Sequence, residues 1–185
     1  MRIRPEAVAV EFNGLCRSFA VLNERVNRLA NALVECGVER GDRLAVLSEN
    51  RLEYIEIYFA ASKIGAIVCA LNWRLRDVEL GHCIELTEPK ILFVSPKYAE
   101  NINFPGVGSD LRIVLGENFE RFVSQGLSKE PEVQVDPEEV GMCWIHDFDA
   151  SFRVLFLEVF DLPAEVVEVP VVVFVTVGLG GAVVV

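Results

Sequence analysis

Few residues in this chain stand at spacings that could support chemistry. They are the pair His82-Cys83, the cluster His146, Asp147 and Asp149, the glycine run Gly178-Leu179-Gly180-Gly181, and the two cations Arg74 and Arg76. His82 and Cys83 suit metal or thiol chemistry by type. On a helix, however, neighbours point about 100° apart, so the two would not share one metal ion. His146 with its two aspartates resembles a metal or acid–base site, but residues adjacent in sequence rarely converge, and no third ligand cluster accompanies them. Gly178 to Gly181 follows an apolar run as a phosphate loop might. A bare Gly-x-Gly-Gly with no Lys or Ser/Thr after it is a weak signal, and a flexible end is the plainer reading. Arg74 and Arg76 follow the end of an expected strand, where α/β sheets usually take ligands, and could touch an anionic cofactor. A solvated loop is the plain alternative, with Trp73 a packing residue. None of these residues is assigned a catalytic, cofactor or metal role from the sequence.

Composition narrows the function classes. The 185 residues carry 17 basic and 28 acidic side chains, a formal net charge of −11. That balance argues against nucleic acid and against an anionic membrane surface. Hydrophobic residues make up 52% of the chain, enough for a sizeable core. The five cysteines, Cys16, Cys36, Cys69, Cys83 and Cys143, are scattered with no Cys-x-x-Cys spacing. Scattered thiols fit a reducing, cytoplasmic setting. Met1-Arg2-Ile3-Arg4-Pro5 does not open a signal peptide. Val169 to Val185 is uncharged, but it is short of the ~20 residues a membrane helix needs and is interrupted by Pro170 and glycines, so membrane contact through the tail is not expected.

The elements that must position any site follow from periodicity. Ala7 to Phe19 reads as a β-hairpin turning at Asn13-Gly14. A helix capped near Ser18 places Leu22, Val26, Leu29, Ala30 and Leu33 on one stripe, with Asn23, Glu24, Asn27, Arg28 and Asn31 facing away, and Gly37 follows its end. Leu44 to Leu47 reads as a strand buried on both faces. A second helix presents Tyr54, Ile57, Tyr58 and Ala61 and stops at Gly65. Ala66 to Ala70 is a second strand. A third helix runs from Asp77, as N-cap, to Leu86. Ile91 to Val94 and Arg112 to Leu115 are further strands, and a short helix spans about Asn118 to Ser124. Gly126 to Glu139 is a loop, and Gly141 to Ile145 another strand. The fold class is therefore α/β: a doubly wound, mainly parallel sheet flanked by helices, with a short N-terminal β-hairpin and an irregular valine-rich C-terminal tail. Residues 1–144 form the α/β unit. Residues 145–185 are a divergent tail, in which Ser151 to Phe160 fits neither periodicity and Val169 to Val175 can be a strand.

The stretch from Ser18 to Leu86 resembles the AMP-forming, adenylate-forming superfamily. Leu22-Asn23-Glu24-Arg25-Val26-Asn27-Arg28-Leu29-Ala30 is similar to its first helix. Gly37-Val38, then Gly41-Asp42-Arg43-Leu44-Ala45-Val46, is similar to its turn into the first large-sheet strand. Asn50, Glu53-Tyr54, Tyr58-Phe59-Ala60-Ala61 and Gly65-Ala66 continue the match. Leu71-Asn72-Trp73-Arg74-Leu75 with Glu79-Leu80 looks most like the fatty or carboxylic acyl-CoA synthetase branch, and Val135-Asp136-Pro137-Glu138-Glu139 resembles the lead-in to its ATP loop.

The resemblance implies activation of a carboxylate by ATP to an acyl-adenylate, then transfer to a thiol, with ATP, Mg and CoA as the family's cofactors. The family's phosphate loop, Thr-Ser-Gly-Thr-Thr-Gly-x-Pro-Lys-Gly, should begin near Ile145. Here the chain reads Ile145-His146-Asp147-Phe148-Asp149-Ala150-Ser151-Phe152, with no glycine to let backbone approach phosphate and two carboxylates that would repel it. The expectation is a truncated AMP-dependent acyl-CoA synthetase that does not adenylate alone, holds no cofactor of its own, and changes character as an out-of-frame translation would. Its partners would be the missing C-terminal part of the ligase or other copies of itself through exposed apolar surface, with poor solubility as a result. The alternatives are a non-catalytic α/β binding or regulatory module, or one subunit of a split ligase.

Overall fold

The computed structural model describes residues 4–100 and 112–135, together with the backbone of three short strands at 142–145, 156–158 and 172–174. The chain opens with a hairpin of strands β1 (Val8–Phe12) and β2 (Leu15–Ser18), paired Phe12 to Leu15 and Glu11 to Cys16. Asn13 and Gly14 turn it with φ values of 50° and 78°, as a two-residue turn requires. Helix α1 (Phe19–Glu35) follows directly, and the Ser18 hydroxyl caps it by accepting from the Val21 N–H at 3.3 Å. Its end is closed by paired bonds: Val38 N–H donates to the Leu33 carbonyl and Gly37 N–H to that of Val34, which satisfies carbonyls the helix leaves open.

The central sheet contains β3 (Arg43–Leu47), β4 (Ile67–Leu71), β5 (Ile91–Val94), β6 (Arg112–Val114) and β7 (Met142–Ile145). Its order is β6-β5-β3-β4-β7 and every described pairing within it is parallel. Helix α2 (Leu52–Ile64) joins β3 to β4, and α3 (Asp77–Thr87) carries the chain back across β3 to β5. That reversal makes the sheet doubly wound. The short α4 (Pro96–Ala99) follows β5, and α5 (Glu117–Gln125) follows β6. Leu44, Val46, Val68, Ile91 and Phe93 point to the layer of α1, α2 and α5. Ala45, Leu47, Leu71, Leu92 and Val94 point to α3. Burial on both faces is why these strands read as unbroken apolar runs.

Several expectations need correction. Asp77 is the first residue of α3 rather than its cap; Arg76 stands at the cap, its N–H held by the Glu79 carboxylate at 2.9 Å. The helix runs on to Thr87, and α4 went unpredicted. The larger difference concerns α1. Asn27 is buried, and Asn27, Arg28 and Asn31 do not simply face water. They hold the irregular segment that follows α5. Asn27 Nδ2 donates to the Ser128 carbonyl at 3.1 Å, Arg28 Nη1 to that of Gly126 at 3.1 Å, and Asn31 Nδ2 to those of Leu127 and Lys129, each at 2.8 Å. Gly126 lies flush on the helix, where a Cβ would come within 1.9 Å of the Arg28 carbonyl oxygen.

A charged network ties the same layer together. Glu56 of α2 is 1% exposed. Its carboxylate accepts from Arg25 Nε at 2.6 Å and Nη2 at 2.9 Å, and Arg17 Nε of β2 lies 3.1 Å away. Arg25 also pairs with Glu120 of α5 at 2.7 and 2.8 Å. Burial works against the Arg25 charge, yet its bonds to Glu56 and Glu120 keep it protonated above the ordinary value. In the tail, β8 (Phe156–Glu158) pairs antiparallel with β9 (Val172–Phe174), so part of the Val169–Val175 run is a strand and a second strand lies within the Ser151–Phe160 stretch. No helix among the described residues is long and apolar enough to cross a membrane.

Candidate functional site

The sheet reverses its winding between β3 and β5, and the carboxyl edge at such a reversal is where open α/β sheets usually take ligands. Three loops meet that edge: Ser48 to Arg51 after β3, Asn72 to Leu75 after β4, and Ser95 to Tyr98 after β5. The first and third are tied together. Ser95 N–H donates to the Leu47 carbonyl at 3.0 Å, and Ser95 Oγ donates to the Glu49 carboxylate at 2.8 Å. Ser48 Oγ donates to the Glu49 carbonyl at 2.8 Å. Below them Tyr54 Oη donates to the Val46 carbonyl at 3.4 Å. Burial, with the Glu49 charge added, pushes the Tyr54 phenol well above its ordinary value, which keeps it a neutral donor.

The second and third loops build a cationic, aromatic face. Trp73 and Tyr98 stack with centroids 6.2 Å apart at 26°, and both pack on the core beneath α3. Asn72 Oδ1 accepts from the Arg74 N–H at 3.0 Å, turning the chain so that the Arg74 guanidinium lies 4.4 Å over the indole. The Lys97 ammonium sits 5.1 Å from the same ring and 5.2 Å from that of Tyr98. Two cations are thus held on an aromatic pair, and both side chains are exposed. Such a surface suits an anion that also carries a planar ring. Among the described residues of these loops one hydroxyl, that of Ser95, is hydrogen-bonded to a carboxylate, that of Glu49, but Ser95 is fully buried, so the exposed face is an arrangement for binding rather than bond-making. Among the described residues no three His, Cys, Asp or Glu side chains group as a metal site.

The residues singled out in the sequence separate accordingly. Arg74 belongs to this face, and Trp73 both packs and carries the cations. Arg76 instead stands at the N-cap of α3, with its guanidinium 4.0 Å from Glu79. His82 is exposed while Cys83 is buried, and burial pushes the Cys83 thiol up; the pair does not converge on one point. Cys16 and Cys36 are exposed and Cys69 is buried; with Cys83, these four are free thiols. Cys143 is aligned with Cys69 across β4 and β7. His146, Asp147, Asp149 and Gly178 to Gly181 lie outside the described residues. Lys97, Tyr98, Glu49 and Ser95 were not foreseen. Their signal was position: each falls within four residues of a strand's carboxyl end.

A parallel, doubly wound sheet with a cationic, aromatic face at its carboxyl edge defines an open α/β unit. The sequence profile of the AMP-binding enzyme family matches residues 1–151. A feruloyl-CoA synthase of Amycolatopsis is 39% identical over 116 residues, 63% of this chain and 24% of that enzyme. The N-terminal domain of FACL13 from Mycobacterium tuberculosis superimposes with a TM-score of 0.62 at 22% identity, covering 68% of this chain and 33% of that one. MatB from Rhodopseudomonas palustris gives 0.64 at 22%, covering 85% and 30%. The chain belongs to the AMP-binding enzyme family and spans about a quarter of the length of the feruloyl-CoA synthase it matches.

Proposed function

We propose that this chain is the N-terminal portion of an AMP-forming acyl-CoA synthetase acting on a fatty or other carboxylic acid, and that it does not adenylate alone. The observation that supports this is the departure at one place in an otherwise continuous match. Where the family's phosphate loop should stand, His146-Asp147-Phe148-Asp149 offers acids instead of glycines, threonines and a lysine. The working unit then runs to about residue 144, residues 145–185 are a divergent tail, and the partner is the part of a ligase that carries the loop. Four free thiols support a reducing, cytosolic setting. In the assembled ligase, Arg74 and Lys97 on Trp73 would meet the phosphates and base of the thiol cofactor, CoA. ATP and Mg would be held by the complementary part.

A chimera tests this: residues 1–145 of this chain joined to the corresponding remainder of the Amycolatopsis feruloyl-CoA synthase. The chimera should form acyl-CoA, and the 185-residue chain should show no ATP–pyrophosphate exchange. Exchange by the chain alone would overturn its inactivity. A cooperatively folded chimera that forms no thioester would overturn the ligase reading. Within an active chimera, Arg74→Ala with Lys97→Ala should raise KM for CoA on the order of tenfold and leave that for ATP unchanged.

A further inference from the structure

We propose that residues 126–130 are a strap whose docking on α1 sets β7 into the sheet, with Asn31 as the positioning residue. The connection from α5 to β7 must cross from one sheet edge to the other, because β6 and β7 are the outermost strands. Four strand spacings separate them, about 19 Å. The described part of that crossing, residues 126–135, contains no helix or strand, so its backbone polar groups need partners from elsewhere. They find them on one face of α1. Asn27, Arg28 and Asn31, on consecutive turns, present only N–H donors to four successive strap carbonyls, those of Gly126, Leu127, Ser128 and Lys129. Asn27 Oδ1 is buried and unpaired, so that amide is kept for its donor end. Gly126 removes the one Cβ that would hold the strap off the helix. Beyond the clamp, Lys63 of α2 pairs with Glu130, and Val135 lies against Gly65. The path therefore runs over α1, then over the end of α2, toward the strand α2 leads into, which is β4. β7 pairs with β4 residue for residue, Val68 to Met142 through Leu71 to Ile145.

Side chains that read backbone carbonyls fix where a segment lies and in which register; of the strap's own side chains, the clamp requires only that position 126 have none. Asn31 is the centre of the clamp: the two hydrogens of its Nδ2 are shared between the strap carbonyls of Leu127 and Lys129, each at 2.8 Å, and the Asn27 carbonyl of α1 itself at 3.0 Å, which anchors the amide on the helix. The inference holds independently of the ligase reading, as it concerns only how this chain completes its sheet.

The test uses the full 185-residue chain with Asn31→Ala and Asn31→Asp. The second keeps shape but turns donors into a charged acceptor facing carbonyls. Amide hydrogen exchange is followed strand by strand, with trypsin cleavage after Lys129 as a second reading. Both variants should speed exchange of the Met142–Ile145 amides on the order of tenfold, with Asp at least equal to Ala, and speed cleavage at Lys129. Amides of β3 and β5 should keep their protection. Unchanged β7 protection would overturn the proposal. So would equal loss across β3, β5 and β7, since Asn31 would then be a general stabilising residue.

Discussion

Glu56→Gln should destabilise this protein severely, because the carboxylate it removes is a buried hub. Glu56 is 1% exposed and faces two guanidinium groups, Arg25 at 2.6 and 2.9 Å and Arg17 at 3.1 Å. Arg25 keeps Glu120 when Glu56 loses its charge, but the Arg17 Nε is left buried with nothing to balance it. Removing one member of a buried ion pair costs about 3–5 kcal/mol. With a urea dependence of about 2 kcal/mol per molar for a domain of this size, the unfolding midpoint should fall by about 1.5–2.5 M. Equilibrium urea unfolding at neutral pH, followed by far-UV circular dichroism, measures it. The triple change Arg17→Met, Arg25→Met, Glu56→Leu should recover most of the loss, since apolar groups of similar size remove the desolvation cost along with the attraction. A midpoint within 0.5 M of wild type for Glu56→Gln would refute the reasoning and show that water reaches the site.

Gly126→Ala should lift the strap. Its Cβ would lie 1.9 Å from a helix carbonyl oxygen, so the segment must retreat by at least about 1.5 Å and give up bonds to Asn27, Arg28 and Asn31, at about 2–4 kcal/mol; thermal unfolding checks this. Stability should also fall in acid. Burial opposes it, but Lys90 and the Glu39 N–H hold the Asp42 carboxyl below the ordinary range, and the bonds from Arg25 do the same for Glu120. Carboxyls whose folded values are lowered stabilise the fold above their unfolded value of about 4, and that stabilisation is lost as pH drops through the lower folded values. Urea midpoints from pH 7 to 3 should decline less steeply in Asp42→Asn than in wild type. Glu88 ends α3 with φ at 42°, a conformation asparagine tolerates better. Glu88→Asn should raise stability by about 0.5 kcal/mol, because its ion pair with Arg43 at 3.8 Å is a surface contact of little worth.

The elements that read well from the sequence are those whose signals are local. Asn13-Gly14 turns the hairpin because both positions need positive φ. The stripe from Leu22 to Leu33 and the runs at Leu44 and Ile91 are buried as their periods required. What stayed hidden is what polar residues do at long range. Asn27, Arg28 and Asn31 look like a solvated face because periodicity registers where apolar side chains fall, and a backbone segment a hundred residues away leaves no trace in that pattern. Glu56 was passed over for the same reason, although it lies four residues before Ala60 and eight before Ile64 on the buried side of α2. Of the candidate site, Arg74 and Trp73 were legible from their place after a strand. Lys97 and Tyr98 depend on how β5 lies beside β3, which is a property of the topology.

The strand order carries a cost in time. β4 is flanked by β3 and β7, yet one neighbour precedes it by a single helix and the other is made last of the five. Ile145, the partner of Leu71 in β7, lies 74 positions further along the chain. At the ~5–20 residues per second of protein synthesis, the apolar edge Ile67-Val68-Cys69-Ala70-Leu71 waits on the order of 4–15 s for its cover while the nascent protein is still on the ribosome. During that interval it can pair with any other extended segment. A cell that makes this protein would need either rapid local collapse of the intervening residues over that edge or a chaperone at the tunnel exit to shield it.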